Sequence, residues 1–227
     1  MAAVLHPPNK LPAASRVAAG CYIDFEGFAA NEHSASPPPV LVGLYRKNEE
    51  GTFQFQQVVF TKEYRWAAEA AGVEHEVLYC PDRLGFMKDL CDSLRGSKPL
   101  FAYSEYELRV IERQVGHRIT KRYRNVRSIA RRWLNQPDRG YPKPADNSLR
   151  SVAQVMGIPL EKKLERGGVT ARLRAVREYS ASRIRWESAP QKVKRQWREI
   201  LMHNHWDVLA TYQVMVHMRP IDHVADQ

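Results

Sequence analysis

The sequence predicts an α/β protein in which helices cover both faces of a mixed β-sheet. Three strand-like segments follow one another near the amino terminus, and a fourth lies among segments with helical periodicity. This order is typical of a sheet whose first three strands are antiparallel and which then gains a parallel strand. A chain of 227 residues forms one large or two small domains. We expect a single domain over residues 16–219.

The strands are predicted from short apolar or alternating segments bounded by turn residues. These segments are residues 17–28, 40–45, 52–60 and 99–103. Gly27 is a suitable end for the first strand. The polar turn at residues 47–51, which ends in glycine, joins the second and third segments and predicts an antiparallel hairpin.

The helices are predicted from apolar residues at three- and four-residue spacing. The segments with this spacing are residues 64–71, 82–94, 104–116, 124–134, 147–156 and 191–218. Residues 157–190 carry Arg or Lys at nearly every third position, and we expect a basic helical insertion there. Residues 1–15 are rich in Ala and Pro and predict a flexible arm, and residues 220–227 are expected to form a tail.

The composition excludes several classes of protein. The three cysteines lack the paired CxxC spacing of a zinc ribbon, and their odd number does not predict an oxidised, secreted framework. No window reaches the roughly 18 to 20 apolar residues that span a bilayer. We therefore expect a cytoplasmic protein without a membrane partner.

The positive charge is concentrated in the middle of the chain. The net charge is +10, and residues 101–200 hold 24 Lys and Arg against 10 Asp and Glu. One strongly positive face predicts a polyanionic partner, DNA or RNA. The residues that we expect to contact phosphates are Arg109, Arg113, Lys121, Arg122, Arg124, Arg127, Arg131, Arg132, Lys194, Arg195 and Arg198. Tyr123 and Trp133 are candidates for stacking on bases.

Acidic side chains occur in three separate segments. Asp24 and Glu26 are two residues apart on a strand, so both project from one face. Neighbouring carboxylates resist burial unless a cation lies between them, and Mg²⁺ or Mn²⁺ prefers oxygen ligands. Glu107 lies in the first turn of a predicted helix. His203 and Asp207 are one turn apart on the last helix.

These segments resemble the three motifs of the ribonuclease H-like DEDD exonucleases. The motifs are Asp24-x-Glu26, the stretch ending in Glu107, and Asn204-x-x-Asp207. The closer resemblance is to predicted ribonuclease H-like domains associated with RecB-type nucleases, in which D-x-E-G, Y-x-x-Y-E and Y-N-x-x-D recur. Two positions differ: Glu107 stands where the wider group has Asp, and His203 stands where the close relatives have Tyr.

The resemblance implies a ribonuclease H-like fold and a 3′–5′ exonuclease that uses two metal ions. It implies that Asp24 bridges the ions, that Glu26 and Asp207 hold one of them, and that Glu107 orients the second or its water. His203 would accept the proton of the attacking water, since its ordinary pKa is near 6.5.

Two alternatives remain open at the level of the sequence. The same fold could act as a noncatalytic nucleic-acid-binding module within a larger nucleoprotein complex. The basic surface could instead bind an acidic protein in an assembly. The first alternative conflicts with four carboxylates, which without metal would repel the phosphates that the basic surface attracts.

Overall fold

A computed structural model describes residues 10–28, 37–71, 76–94, 98–159, 168–181 and 185–219, and its centre is a six-stranded mixed sheet. The strands are β1 (Cys21–Glu26), β2 (Leu41–Lys47), β3 (Phe53–Val59), β4 (Val77–Tyr79), β5 (Leu100–Ala102) and β6 (Tyr123–Asn125). Their spatial order is β4-β3-β2-β1-β5-β6. The pairs β1–β2 and β2–β3 are antiparallel, and the other three pairs are parallel. The predicted mixed α/β sheet is confirmed.

Helices pack on both faces of this sheet. The α-helices are α1 (Ala14–Ala18), α2 (Arg65–Ala71), α3 (Arg83–Ser93), α4 (Tyr106–Val115), α5 (Val126–Leu134), α6 (Leu149–Val155), α7 (Gly168–Ala181) and α8 (Gln191–Met218). Short 3₁₀ turns are Lys62–Tyr64, Pro137–Arg139 and Trp186–Ser188. Helices α3 and α4 share one apolar cluster with the sheet, and α1, α5, α6 and the carboxyl-terminal half of α8 share another on the opposite face.

The alternation of β1 determines which side chains meet which helices. Cys21, Ile23 and Phe25 are buried against α3 and α4. Tyr22 belongs to the cluster on the α8 face, stacking on Phe101 at a centroid distance of 4.8 Å. Because side chains alternate along a strand, Asp24 and Glu26 share the face of Tyr22 and lie towards α8.

The first strand is shorter than predicted. Residues 14–18 form α1 instead, because buried Val17 joins the apolar cluster and its carbonyl accepts a hydrogen bond of 2.8 Å from the Tyr22 hydroxyl. Two strands, β4 and β6, were missed because three residues are too few to reveal an alternation. The strand predicted as the fourth is therefore β5.

The predicted arm, basic insertion and tail lie only partly within the described residues. Helix α7 lies within the predicted basic insertion, whereas residues 160–167 and 182–184 are outside the described part of the chain. Of the predicted arm and tail, residues 1–9 and 220–227 are likewise not described. Each helix in the described ranges is too short or too polar to cross a bilayer.

Helix α8 approaches the sheet closely at one glycine. Gly43 of β2 pairs with Asp24 of β1, and a Cβ atom at this position would clash with Oδ1 of Asn204 and lie 3.0 Å from Cγ2 of Val208. Only a hydrogen atom fits between β2 and α8 here. The glycine therefore sets the distance between the helix and the strand that carries the first acids.

We expect Gly43→Ala to lower the free energy of unfolding by about 1–3 kcal/mol, because the added methyl group overpacks this contact. Urea denaturation followed by circular dichroism measures the change. Gly27→Ala is the matched control, since its nearest contact, Pro39 Cα, would lie at 3.4 Å. Equal stability of the two variants would contradict the tight contact at Gly43.

Candidate active site

Three elements bring acidic side chains to one edge of the sheet. Asp24 and Glu26 lie at the carboxyl end of β1, and Glu107 lies in the first turn of α4, directly after the parallel neighbour β5. Parallel strands end at the same edge, so these side chains converge there. Helix α8 crosses this edge and adds His203 and Asp207.

The distances within the cluster are short. His203 Nε2 lies 3.8 Å from Glu26 Oε1 and 3.5 Å from Asp207 Oδ2. One ligand atom from each of these three residues lies within 4.8 Å of the others. Their side chains are 12%, 30% and 22% exposed for Glu26, His203 and Asp207, respectively. The cluster therefore lines a recess that solvent still reaches.

Asp24 is held by a side chain of α8. Asn204 Nδ2 donates to the carbonyl oxygen of Asp24 at 3.1 Å and to its carboxylate oxygen Oδ2 at 3.0 Å. Gln57 Nε2 donates to Asn204 Oδ1 at 2.9 Å and to the Leu201 carbonyl at 2.9 Å. Both amides are buried. The amides orient the Asp24 carboxylate through a chain of hydrogen bonds that begins on β3.

Glu107 is held from the opposite direction. Its side chain is buried, and its Oε2 accepts a hydrogen bond of 2.8 Å from Ser104 Oγ. The Tyr123 hydroxyl lies 3.5 Å from the same oxygen and donates to the Ser104 carbonyl. Residues of β6 and of the loop before α4 thus fix this carboxylate.

The carboxylates perturb one another. Burial raises the pKa of Asp24 and of Glu26 well above the ordinary range, and the nearby charges of Asp207 and Glu107 raise both further. Burial raises the pKa of Glu107 to about 7. Burial and the charge of Glu107 raise the pKa of Asp207 to about 7. Four carboxylates within electrostatic reach of one another favour protonation or a bound cation.

The donor set fits a hard divalent cation. Carboxylate oxygens are the ligands that Mg²⁺ and Mn²⁺ prefer, and a divalent ion would offset the burial and the mutual repulsion that raise the pKa values of Asp24, Glu26 and Asp207. Glu26 and Asp207 offer such oxygens within 4.8 Å of each other, and Asp24 and Glu107 lie within electrostatic reach of them. His203 adds a nitrogen beside them, and burial followed by the charge of Arg172 lowers its pKa.

Arginines surround the acidic cluster. The charge of Arg150 on α6 lowers the pKa of Asp207 against the effect of burial. Arg172 on α7 acts on His203, and its Nε donates to Glu199 Oε2 at 2.6 Å. Burial and the charges of the nearby acids, Asp24 and Glu26 among them, raise the pKa of the Tyr106 hydroxyl. The charge of Arg113 lowers it.

The predicted phosphate-binding residues divide into two groups. Those with exposed side chains are Arg109, Arg113, Lys121, Arg127, Arg131, Arg132, Arg195 and Arg198. The other three are partly buried and donate to backbone carbonyls: Arg122 to Cys91, Arg124 to Lys121 and Tyr123, and Lys194 to Glu187. These three side chains use some of their N–H groups to stabilise local structure.

Tyr123 and Trp133, the two candidates for stacking on bases, are buried instead, as aromatic residues beside a helical apolar stripe more often are. Tyr123 is fully buried beside Glu107, and Trp133 is only 6% exposed within the cluster of α5 and α8. The ring of Tyr123 is closed to a base, and the Arg139 guanidinium lies over the ring of Trp133. Both aromatics pack in the core instead.

A comparison with protein families identifies the fold. The sequence model of the RNase H superfamily matches residues 21–219, a range that begins at β1 and extends beyond α8. The chain belongs to the RNase H superfamily. All five candidate residues of the acidic cluster lie inside the matched range. Neither the curated proteins nor the solved structures gave a match.

Membership of the RNase H superfamily gives the cluster a chemical context. Its members are commonly nucleases, and RNase H-like nucleases typically use divalent metals. The acidic recess beside exposed arginines suits both properties. The superfamily also implies nucleic acid as the partner.

Sequence reasoning missed several residues of this RNase H-like site. Asn204 stood in a motif, but its contact with Asp24 was not foreseen. Gln57 gave no signal, because its role depends on the pairing of β3 with β2 opposite Gly43. Arg150 and Arg172 were missed because nothing in the local sequence separates them from the other basic residues.

The raised pKa values predict how stability depends on pH in the absence of divalent cations. A carboxyl group with a raised pKa binds its proton more tightly in the folded state than in the unfolded state. Its contribution to the free energy of unfolding is therefore fully present below the ordinary carboxylate pKa and is lost as pH rises towards about 7. We expect the stability of Asp207→Asn to decrease less with rising pH than that of the wild-type protein. Thermal unfolding in chelator between pH 4.5 and 8 measures it.

Asp89→Asn on the exposed surface of α3 is the control for that experiment. Added Mg²⁺ or Mn²⁺ should raise the melting temperature of the wild-type protein more at pH 8 than at pH 5. The pH profile of Asp207→Asn should be flatter than that of Asp89→Asn. Identical profiles would mean that the pKa of Asp207 is not raised in the folded state.

Proposed function

We propose that this protein is a divalent-metal-dependent nuclease that hydrolyses phosphodiester bonds and acts as a 3′–5′ exonuclease. The observation that carries the proposal is the group formed by Glu26, His203 and Asp207 in an RNase H-like fold, with Asp24 and Glu107 within electrostatic reach of it. We propose the DEDD exonuclease subtype because the motifs around Asp24, Glu107 and Asp207 resemble those of that group.

The four carboxylates would hold two ions, Mg²⁺ or Mn²⁺. Bound divalent ions activate water near neutral pH and neutralise the leaving oxygen during in-line attack at phosphorus. Asn204 keeps the Asp24 carboxylate in one orientation through its hydrogen bond of 3.0 Å. Ser104 does the same for Glu107. These contacts limit the rotation of two acids before substrate binds.

His203 is the proposed general base. Its Nε2 lies within 4 Å of both Glu26 and Asp207, so it borders the position where the acids converge. Its lowered pKa keeps the ring neutral at neutral pH, when a base must be able to accept a proton. In this proposal His203 Nε2 accepts the proton of the attacking water. His203 would thus take the place of the tyrosine that the similar domains have at this position.

The substrate class follows from the charge around the recess. Exposed arginines on α4 and α5 lie on the chain segments that directly follow β5 and β6, beside the acidic edge of the sheet. Phosphates bind such cations with displacement of counterions. We propose that DNA or RNA crosses this basic surface and presents a strand end to the carboxylates. Protein partners in a larger repair or nucleoprotein complex remain compatible with this arrangement.

Asp24→Asn should lower hydrolysis of end-labelled DNA or RNA by more than about 100-fold while the affinity for the strand changes little. Asparagine keeps the size and loses the charge that a cation needs. Gel analysis of the products in Mg²⁺ or Mn²⁺ measures hydrolysis, and anisotropy in chelator measures affinity. Asp89→Asn is the control. Cleavage that persists in excess chelator, or in Asp24→Asn, would refute the metal-dependent mechanism.

Replacing Arg127, Arg131 and Arg132 by alanine should weaken the salt dependence of binding. Each phosphate contact contributes about 0.7 to the slope of log affinity against log salt on a single strand, so three lost contacts predict a decrease of about 2. Anisotropy titrations between 50 and 200 mM salt give the slope. The control changes Lys47, Lys62 and Lys88, which are exposed elsewhere. An unchanged slope would place the strand on another surface.

A further inference from the structure

A basic cavity lies at the carboxyl end of α8, beyond the acidic cluster. It is formed by the carboxyl ends of α5 and α8 and by the segment before α1, and it encloses about 300 Å³. Four cations line it: Lys10, Arg132, Arg139 and Arg219. We name this cavity the distal pocket.

The four cations of the distal pocket lack carboxylate partners among the described residues. Arg139 Nε donates to Gln136 Oε1 at 3.0 Å, and Arg219 Nε donates to the Pro12 carbonyl at 3.2 Å. Both acceptors are neutral, so these two contacts do not compensate the positive charge of the guanidinium groups. Four cations around one cavity raise the local concentration of anions.

Part of the lining of the distal pocket is apolar. Ile129 and Met218 are buried and line it together with Leu11. The Arg139 guanidinium lies over the buried Trp133 ring, 4.5 Å from its centroid. Its other face can stack on a planar group. A simple anion would satisfy the cations but leave the apolar surface unfilled, whereas a nucleotide offers both a phosphate and a planar base.

The distal pocket is connected to the acidic cluster by α5 and α8. Met218 is eleven residues beyond Asp207, which corresponds to about 16 Å along the helix. Arg127 and Arg131 are exposed one turn apart on α5, which runs from β6 towards the pocket. Arg127 lies at the end of α5 nearest Tyr103, whose carbonyl accepts from its backbone N–H. A chain of phosphates can therefore follow α5 from one recess to the other.

We propose that the distal pocket binds one nucleotide of the polynucleotide whose end reaches the acidic cluster. The identity of the ligand as part of a substrate strand rests on the proposed nuclease function. The affinity for a nucleotide does not, because it follows from the cavity, its cations and its partly apolar lining. The two parts are tested separately.

Binding of a nucleotide is tested by calorimetry with adenosine monophosphate in chelator. Lys10→Glu combined with Arg139→Glu should weaken binding at least tenfold. Lys62→Glu combined with Lys88→Glu changes the net charge equally on exposed sites elsewhere and should weaken it less than twofold. Equal losses in the two variants would overturn the proposal. So would inorganic phosphate or an oligoglutamate peptide that binds as tightly as the nucleotide.

The link to the substrate strand is tested with strands of different length. For a 12-nucleotide strand, the pocket variant should raise KM at least tenfold with kcat unchanged, whereas a dinucleotide, which is too short to reach both recesses, should keep its KM. An equal rise of KM for both substrates would overturn the link. If the wild-type protein hydrolyses neither strand, the nuclease proposal fails, and calorimetry still decides whether the pocket binds a nucleotide.

Discussion

The buried amide of Asn204 is the contact on which the arrangement of the site depends. It donates twice to Asp24 and accepts from Gln57, so a polar row crosses the sheet from β1 to β3 beneath α8. Two apolar clusters lie on either side of this row. A buried amide requires its hydrogen bonds, and a shift of α8 by one residue would turn Asn204 away by about 100°. The same bonds therefore direct His203 and Asp207 towards Glu26.

Much of this arrangement is visible in the sequence. The two-residue spacing of Asp24 and Glu26 predicts their shared face, and the four-residue spacing of His203 and Asp207 predicts theirs. Periodicity does not reveal which residues of different strands are opposite each other. Gly43 and Gln57 were missed for that reason, although both decide how closely α8 approaches. The same limit left two outcomes open for Tyr123 and Trp133, because the local sequence of an aromatic residue next to arginines is similar whether the ring faces the core or the solvent.

The electrostatics combine a small acidic centre with a broad basic surface. Without the arginines, the carboxylates would repel a phosphate. Without the carboxylates, the arginines would bind a polyanion but would not hydrolyse it. The buried position of Glu107 and the partial burial of Asp207 strengthen the interaction with a cation, since the local dielectric constant is low. The exposed cations of α5 remain accessible to solvent, where their attraction acts over longer range at low salt. In the proposed nuclease, the two parts would act at different stages of an encounter with nucleic acid.

Helix α8 is one uninterrupted element of 28 residues, about 42 Å long. It contributes both to the acidic recess and to the distal pocket, so the interval between them is as rigid as the helix itself. A strand anchored at both ends would be measured against this interval. Digestion that proceeds from one end would then slow once the remnant becomes too short to span it, and the helix would act as a ruler that sets the length of the final product.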